Sequence, residues 1–297
     1  MRDGIQPTKQ DIVRPAGSVR TSEATLGDRA AARYTDAVDP DAEHRRPGQG
    51  SARVWDERAL RRPHAQPDKA RRVEAMFDAI ARTYERVNAV ASLGQDARWR
   101  ARTVAAVDVR AGDVVVDVCC GTGDMVRALA ACQPAPRVVI GLDFSAGMLA
   151  SGRYPVNSRA APIQLLRADA QRLPLRDQSA DVLTCVFGVR NFADMQQGLN
   201  ELYRVARPGA RVLILEFTIP EHPVLAALYR LYCGRVLPAV GRWISRERVG
   251  AYRYLARSID TFEPARIIAR RLADAGFAEI KLTSLNFGGV MLYRVVR

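Results

Sequence analysis

VVVDVCCGTGDM, residues 114–125, decides the fold. Its first five residues are an apolar run broken only by Asp117, the pattern of a strand covered on both faces. Gly121 and Gly123 follow, where a chain without Cβ atoms can turn tightly and bring its backbone against a ligand. A helix is expected to start near Asp124. Strand, glycine turn and helix make the unit that binds ligands beyond the carboxyl ends of an open parallel sheet. The adjacent Cys119 and Cys120 leave three options for the stretch: a thiol site, a metal site or a nucleotide-holding loop. The five cysteines (Cys119, Cys120, Cys132, Cys185, Cys233) show no Cys-x-x-Cys spacing and only three histidines accompany them, which speaks against metal. Both thiols then read as small apolar fillers of the turn.

Outward from this unit, β-branched runs recur at residues 137–143, 163–169, 181–187 and 211–217, separated by stretches long enough for crossover helices. Continuous apolar strands alternating with helices predict an α/β fold with a parallel sheet covered on both faces. From residue 217 to about 275 the pattern is helical, and two strands, 279–285 and 290–296, close the chain.

Residues 1–70 carry many charges of mixed sign with few large apolar side chains, so a disordered extension is expected there, apart from a short helix near 51–61. The folded domain is predicted to begin at Arg71, where Met76, Phe77, Ile80, Tyr84 and Val87 recur at helical spacing, and to run to residue 297. No run of 18 uninterrupted apolar residues exists, so no spanning helix is expected, and the N-terminus lacks the order of a secretory signal. The net charge of +13 favours anionic partners, lipid head groups or RNA, but only three of the 45 basic residues are lysine, a bias that dilutes the case for a nucleic-acid surface.

Acids around the glycine turn narrow its ligand. Asp143 closes the second strand, 20 residues after Gly123, where a carboxylate can accept both hydroxyls of a ribose. Asp169 closes the third, and with the backbone of Ala170 it can read an adenine edge. Asp117 would repel a phosphate and suits a ligand with a positive centre. A dinucleotide loop would carry a third glycine at 126, where this chain has Val126.

This constellation resembles the class I S-adenosylmethionine-dependent methyltransferases, whose cofactor carries a sulfonium and no phosphate. A narrower likeness covers residues 73–297: MFDAIARTYERVN (76–88), GQDARWR (94–100), CCGTGD (119–124), GLDFSAGML (141–149), FGVRNFAD (187–194), RVARPGARVLILEF (204–217) and YRYLARSI (252–259) resemble the C-methyltransferases of ubiquinone and menaquinone biosynthesis. The resemblance implies a Rossmann-like, seven-stranded, mostly parallel sheet with helices on both faces and a helical substrate-side insertion at about 221–260. It implies S-adenosyl-L-methionine as methyl donor without a metal, and a lipid-soluble polyprenyl quinol methylated on a ring carbon. That acceptor is demethylmenaquinol, the benzoquinol precursor of ubiquinol, or both; the CCGT string tilts toward the menaquinone type. By the resemblance Thr122, Asp143, Asp169 and Ala170 fall on cofactor positions, with Thr122 beside the methionine end, and Asp117, Gly121 and Gly123 of the turn join them as cofactor-binding candidates.

A ring carbon becomes nucleophilic once an adjacent phenol ionises, so the site needs a group that creates or holds a phenolate. Arg190 and Asn191 after the fourth strand and Tyr84 on the capping helix are the candidates, with His222 as a further base. Leu225, Leu228, Leu231, Tyr232 and Val236 share a helix face that either packs on the sheet or forms a lid over a prenyl tail, with Arg235, Arg242, Arg246 and Arg248 near anionic lipid. Expected surroundings are the cytoplasm at the inner face of a bacterial membrane, with peripheral membrane contact and a second copy or other quinone-biosynthesis enzymes as partners. Two departures from the family pattern, Arg257 for an acid and Tyr293 for a histidine, are expected to bear on the substrate side. The alternatives are a paralogue acting on another quinol or phenol, an RNA methyltransferase, against which FGVRN stands where amino-methylating enzymes carry a Pro-Pro string, and a silent binding protein.

Overall fold

The computed structural model describes residues 54–152, 160–245 and 249–297. A helical cap comes first: α1 (Glu57–Arg61), α2 (Lys69–Ile80), α3 (Tyr84–Ala91) and α4 (Gln95–Val107). The alternating part follows as β1 (Val114–Val118), α5 (Asp124–Ala130), β2 (Val138–Asp143), α6 (Ala146–Ser151), β3 (Ile163–Arg167), β4 (Ala180–Val186), α7 (Met195–Val205) and β5 (Ala206–Phe217). The insertion begins with α8 (Pro223–Leu231), which runs through a π turn (Tyr232–Val236) into α9 (Leu237–Ser245), and continues with α10 (Ala251–Asp260). The chain ends with α11 (Ala265–Asp274), β6 (Ala278–Leu285) and β7 (Val290–Val296).

Among the described residues, seven strands form one sheet in the order β3-β2-β1-β4-β5-β7-β6. Strands β1 to β5 are parallel, and β7 runs antiparallel to both β5 and β6. The uninterrupted apolar runs of β1, β2 and β4 follow from their central place, since helices cover both faces and two separate cores form. Helix starts are set by side chains: Asp194 accepts from the Gln197 amide at 3.0 Å before α7, and Ser145 from the Met148 amide at 3.0 Å before α6. Strand order reverses between β1 and β4, so the crevice opens at their carboxyl ends.

The expected domain boundary at Arg71 falls inside the fold. Trp55 is fully buried, stacked on Tyr254 with ring centroids 4.2 Å apart, and Leu60, Val73 and Met76 join the same cluster. Further ties come from Trp55 N to the Val249 carbonyl at 3.0 Å and from Arg257 Nε to the Leu60 carbonyl at 3.3 Å. The short helix foreseen near 51–61 is α1, while the rest of the expected extension, residues 1–53, lies outside the described residues. The third strand stops at Arg167, so Asp169 sits two residues beyond it in the loop. Uninterrupted runs also understated the insertion: the 23-residue helix Pro223–Ser245 is long and apolar enough to cross a membrane by length and composition, with 28% of its most apolar window buried against the fold.

Candidate active site

The crevice holds two chambers. The larger, about 490 Å³, lies between the cap helices, the carboxyl ends of β1, β4 and β5, and the insertion. The smaller, about 90 Å³, runs along the ends of β1, β2 and β3 and is lined by Asp143, Phe144, Asp169, Ala170 and Asn191 among others. Phe77, Tyr84, Cys119, Gly121, Val186 and Phe187 line both, so the chambers meet at the glycine turn.

That turn has the left-handed backbone its sequence requires, with φ of 60° at Cys119, 58° at Gly121 and 84° at Gly123. A Cβ on Gly121 would meet nothing within 4 Å, so its backbone faces open space. Gly188, across on the β4 turn, is packed so tightly that a Cβ would lie 2.7 Å from Cys119 Cβ and Cys185 Sγ. Cys119 is therefore a wedge between two turns, while Cys120 packs against Gly141. A hydrogen bond shared with Cys185, and burial after it, push the Cys119 thiol well up, and burial does the same to Cys120. Both stay protonated and poorly nucleophilic.

The acids are held as acceptors. Asp143 takes the Gly121 amide at 2.7 Å on Oδ2 and the Ser145 amide at 2.8 Å on Oδ1, and burial raises its carboxyl to about 6. Asp117 is 1% exposed and accepts from Thr184 Oγ at 2.6 Å on Oδ1. Its Oδ2 has no hydrogen-bond partner, and burial pushes the carboxyl up to about 7. An orphaned carboxylate oxygen lining a chamber is a place for a donor or cation to bind. Asp169 accepts from the Gln171 amide at 2.9 Å and stands beside buried Ala170. Thr122 is buried against the larger chamber, while Gly123 turns the chain beneath both and lines neither. The residues present fit a cofactor that offers a cation, a diol and an adenine edge and brings no phosphate. Among the described residues, no three His, Cys, Asp or Glu side chains gather as a metal site.

Arg190 lines the larger chamber but is not a free cation. It is 3% exposed, ion-paired through Nη1 with Glu216 Oε1, which is 1% exposed, and donates from Nε to Ser258 Oγ at 2.9 Å. Its own amide reaches Glu216 Oε2 at 3.1 Å. Asn191 lines the smaller chamber, accepts from the Tyr254 hydroxyl at 3.0 Å and donates to the Phe187 carbonyl at 3.3 Å. Tyr84 lines both chambers, and burial raises its phenol above the ordinary value. Phe187 is chamber wall, stacked on Phe217 at 4.3 Å.

His222 is exposed on the loop before α8 and lines neither chamber. Nor does either departure: Arg257 ties Leu60 and Asp260, and Tyr293 is buried on β7 opposite Ile214. Sequence reading missed Glu216, Ser258 and Lys69. Glu216 had a signal, a lone acid in the buried run RVLILEF, where a charge persists only when paired.

The model of the ubiE/COQ5 methyltransferase family matches residues 65–297. A Thermus thermophilus protein named demethylmenaquinone methyltransferase is 40% identical over 213 residues, covering 72% of this chain and 96% of that protein. A Lactiplantibacillus plantarum protein of the same name is 38% identical over 218 residues, 73% of this chain and 92% of that protein. The ubiquinone/menaquinone biosynthesis C-methyltransferase UbiE of Geobacter sulfurreducens is 36% identical over 228 residues, 76% and 88% respectively. Among solved structures, a SAM-dependent methyltransferase from Thermotoga maritima superposes with a TM-score of 0.52 at 18% identity, covering 75% of this chain and 99% of that one. This last likeness concerns the fold, the Rossmann-like class I arrangement.

Proposed function

The chain belongs to the ubiE/COQ5 methyltransferase family, and from that premise we propose how its two chambers divide the work of quinol methylation. The protein is an S-adenosylmethionine-dependent C-methyltransferase of quinone biosynthesis. In our reading its acceptor is a polyprenyl quinol, demethylmenaquinol in the first place.

The smaller chamber takes the adenosine part of the methyl donor, whose methionine end crosses the junction into the larger chamber beside Asp117 and Thr122. Asp143 accepts the ribose hydroxyls, Asp169 and the Ala170 amide take the adenine edge, and Thr122 and the buried, partnerless Oδ2 of Asp117 receive the methionine end with its ammonium. When bound, the donor supplies an electrophilic methyl at the junction. The larger chamber takes the quinol, its ring against Phe187 and Tyr84 and its tail along Leu225, Leu228 and Leu237. Arg190 holds the ring oxygen as it ionises, and Asn191, fixed by Tyr254, keeps the β4 turn shaped around the junction. The observation that carries this division is the meeting of an acid-lined cleft and an apolar chamber at Cys119, Gly121 and Phe187. An apolar chamber of this kind does not favour an RNA acceptor.

The test is incubation with methyl-labelled donor and each demethylated quinol, kept reduced. Label is expected in the naphthoquinol lipid, with the benzoquinol as a second acceptor. Label in neither would refute the acceptor assignment.

A bilayer surface is the partner we assign to the chamber rim. Leu93, Leu225, Leu228 and Phe287 line the chamber and are nonetheless 37% to 85% exposed, and Leu231, Val236 and Trp243 continue the apolar face outward. Arg230, Arg235 and Arg242 are exposed on the same helix, matching anionic head groups; Arg246 and Arg248 lie outside the described residues. The helix lies on the fold, with Cys233, Leu237 and Gly241 buried and Gly241 against the Tyr252 ring. It therefore suits the interface plane better than a span, and we assign the protein to the cytoplasmic side. Leu231→Asp with Trp243→Asp is expected to weaken binding to phosphatidylglycerol vesicles at least about tenfold while sparing turnover of a short-chain, water-soluble quinol. Unchanged vesicle binding would contradict the assignment.

A further inference from the structure

Behind Arg190, four residues close a hydrogen-bonded ring. Lys69 Nζ donates to the Arg190 carbonyl at 3.0 Å and to the Phe192 carbonyl, and Arg190 Nε donates to Ser258 Oγ at 2.9 Å. His64 Nε2 lies 2.9 Å from the Ser258 carbonyl, which can only accept, so Nε2 carries the proton. Nδ1 is then an acceptor, and it faces Lys69 Nζ at 3.5 Å. The three N–H groups of the ammonium thus meet three acceptors, two carbonyls and an imidazole nitrogen. Burial pushes His64 down to about 4, consistent with its neutral role.

The enclosed charges do not cancel. Glu216 balances Arg190, but Lys69, 4% exposed, has no carboxylate within ion-pairing distance among the described residues. The nearby acids have arginines of their own: Asp260 pairs with Arg230 and Arg257, and Glu263 with Arg271. Asp117 and Asp143 belong to the cofactor side. Burial, and then the charge of Arg190, push the ammonium down to about 8, which keeps it cationic at neutral pH. A neutral Arg190–Glu216 pair alone offers a forming anion only a dipole, whereas a buried net positive charge attracts it over a longer range.

We propose that Lys69 supplies the uncompensated positive charge that lets the Arg190–Glu216 pair hold a quinol oxygen as its anion, which makes the segment 54–69 a positioning element of the methyl-transfer site. The proposal rests on the quinol reading above. Lys69 lines neither chamber and acts through the β4 turn and the field it creates. Its identity fits this use, because it is one of three lysines in a chain with 45 basic residues. Its compact ammonium satisfies the three converging acceptors.

The test uses a nitro-substituted naphthol, whose absorption reports its ionisation, bound to the full-length protein together with S-adenosylhomocysteine. Lys69→Met is expected to raise the pH at which the bound probe ionises by at least about one unit, and Lys69→Arg, which keeps the charge, to leave it within about half a unit. Glu216→Gln, which removes the compensating anion, is expected to lower it. No change in Lys69→Met, or an equal rise in Lys69→Arg, would overturn the proposal. If Lys69→Met does not fold, Glu216→Gln decides: an unchanged or raised value overturns it. A wild-type protein that ionises the probe as described yet methylates no quinol would refute the functional reading and leave the electrostatic inference standing.

Discussion

Arg190→Met is expected to lower turnover roughly 100- to 1000-fold, the scale on which loss of one oriented donor to a developing anion is felt, while S-adenosylmethionine affinity stays within about threefold. The guanidinium lines the larger chamber and is bonded to Glu216 and Ser258, neither of which is assigned to the donor, so the two effects should separate. Folding complicates the experiment in a definable way. Removing one member of a buried ion pair leaves Glu216, 1% exposed, uncompensated, at a cost of about 3–5 kcal/mol. The companion variant is therefore Arg190→Met with Glu216→Leu, which removes both charges and should recover stability without turnover. Parallel loss of donor affinity and turnover in a folded double variant would remove Arg190 from the chemistry.

Donor binding should release protons. Before the donor binds, burial raises Asp117 to about 7 and Asp143 to about 6, both above the ordinary carboxylate value. A bound ammonium and sulfonium favour the charged carboxylates, so affinity is expected to rise from about pH 5 to pH 7.5 and then level off. Calorimetry at pH 6.5 in buffers of different ionisation enthalpy reads the released protons directly. For folding stability the sign is opposite. The folded state retains these protons where the unfolded chain has lost them, so their contribution to stability is greatest below about pH 4 and declines as pH rises through 6 to 7. Asp143→Ala should weaken donor binding about 100-fold, equivalent to about 2.7 kcal/mol, and suppress part of the release. Binding without proton exchange would refute the ionisation of these acids by the donor.

The strands of the sheet were legible because each central one is a continuous apolar run, and the ligand loop because Gly121 and Gly123 follow the first of them. Asp117 and Asp143 could be singled out from spacing alone. The start of the fold could not: Trp55 and Leu60 are anchors in an otherwise charged segment, too few to set up a period, and their partners Tyr254 and Ala251 lie about 200 residues on. Arg190 was legible as a candidate, but its charge balance depends on Glu216, Ser258 and Lys69, which three distant segments bring together. His222 was the reverse case, suggestive by its neighbours in sequence and placed outside both chambers by the fold.

The adjacent cysteines illustrate how packing decides between chemical options. The sequence reads them as turn fillers, and the structure gives the packing: Cys119, with Cys185, is wedged against Gly188 between the β1 and β4 turns, and Cys120 against Gly141. Both turns bear residues assigned to the junction, so the thiols matter through shape.

The most direct test of the central claim is the position of the transferred methyl. Wild-type protein incubated with trideuteromethyl-labelled S-adenosylmethionine and reduced demethylmenaquinol should yield a lipid carrying the intact labelled group on a ring carbon, as nuclear magnetic resonance of the isolated product would reveal. A labelled group on the quinol oxygen, or no labelled lipid at all from folded protein that binds the donor, would contradict the account.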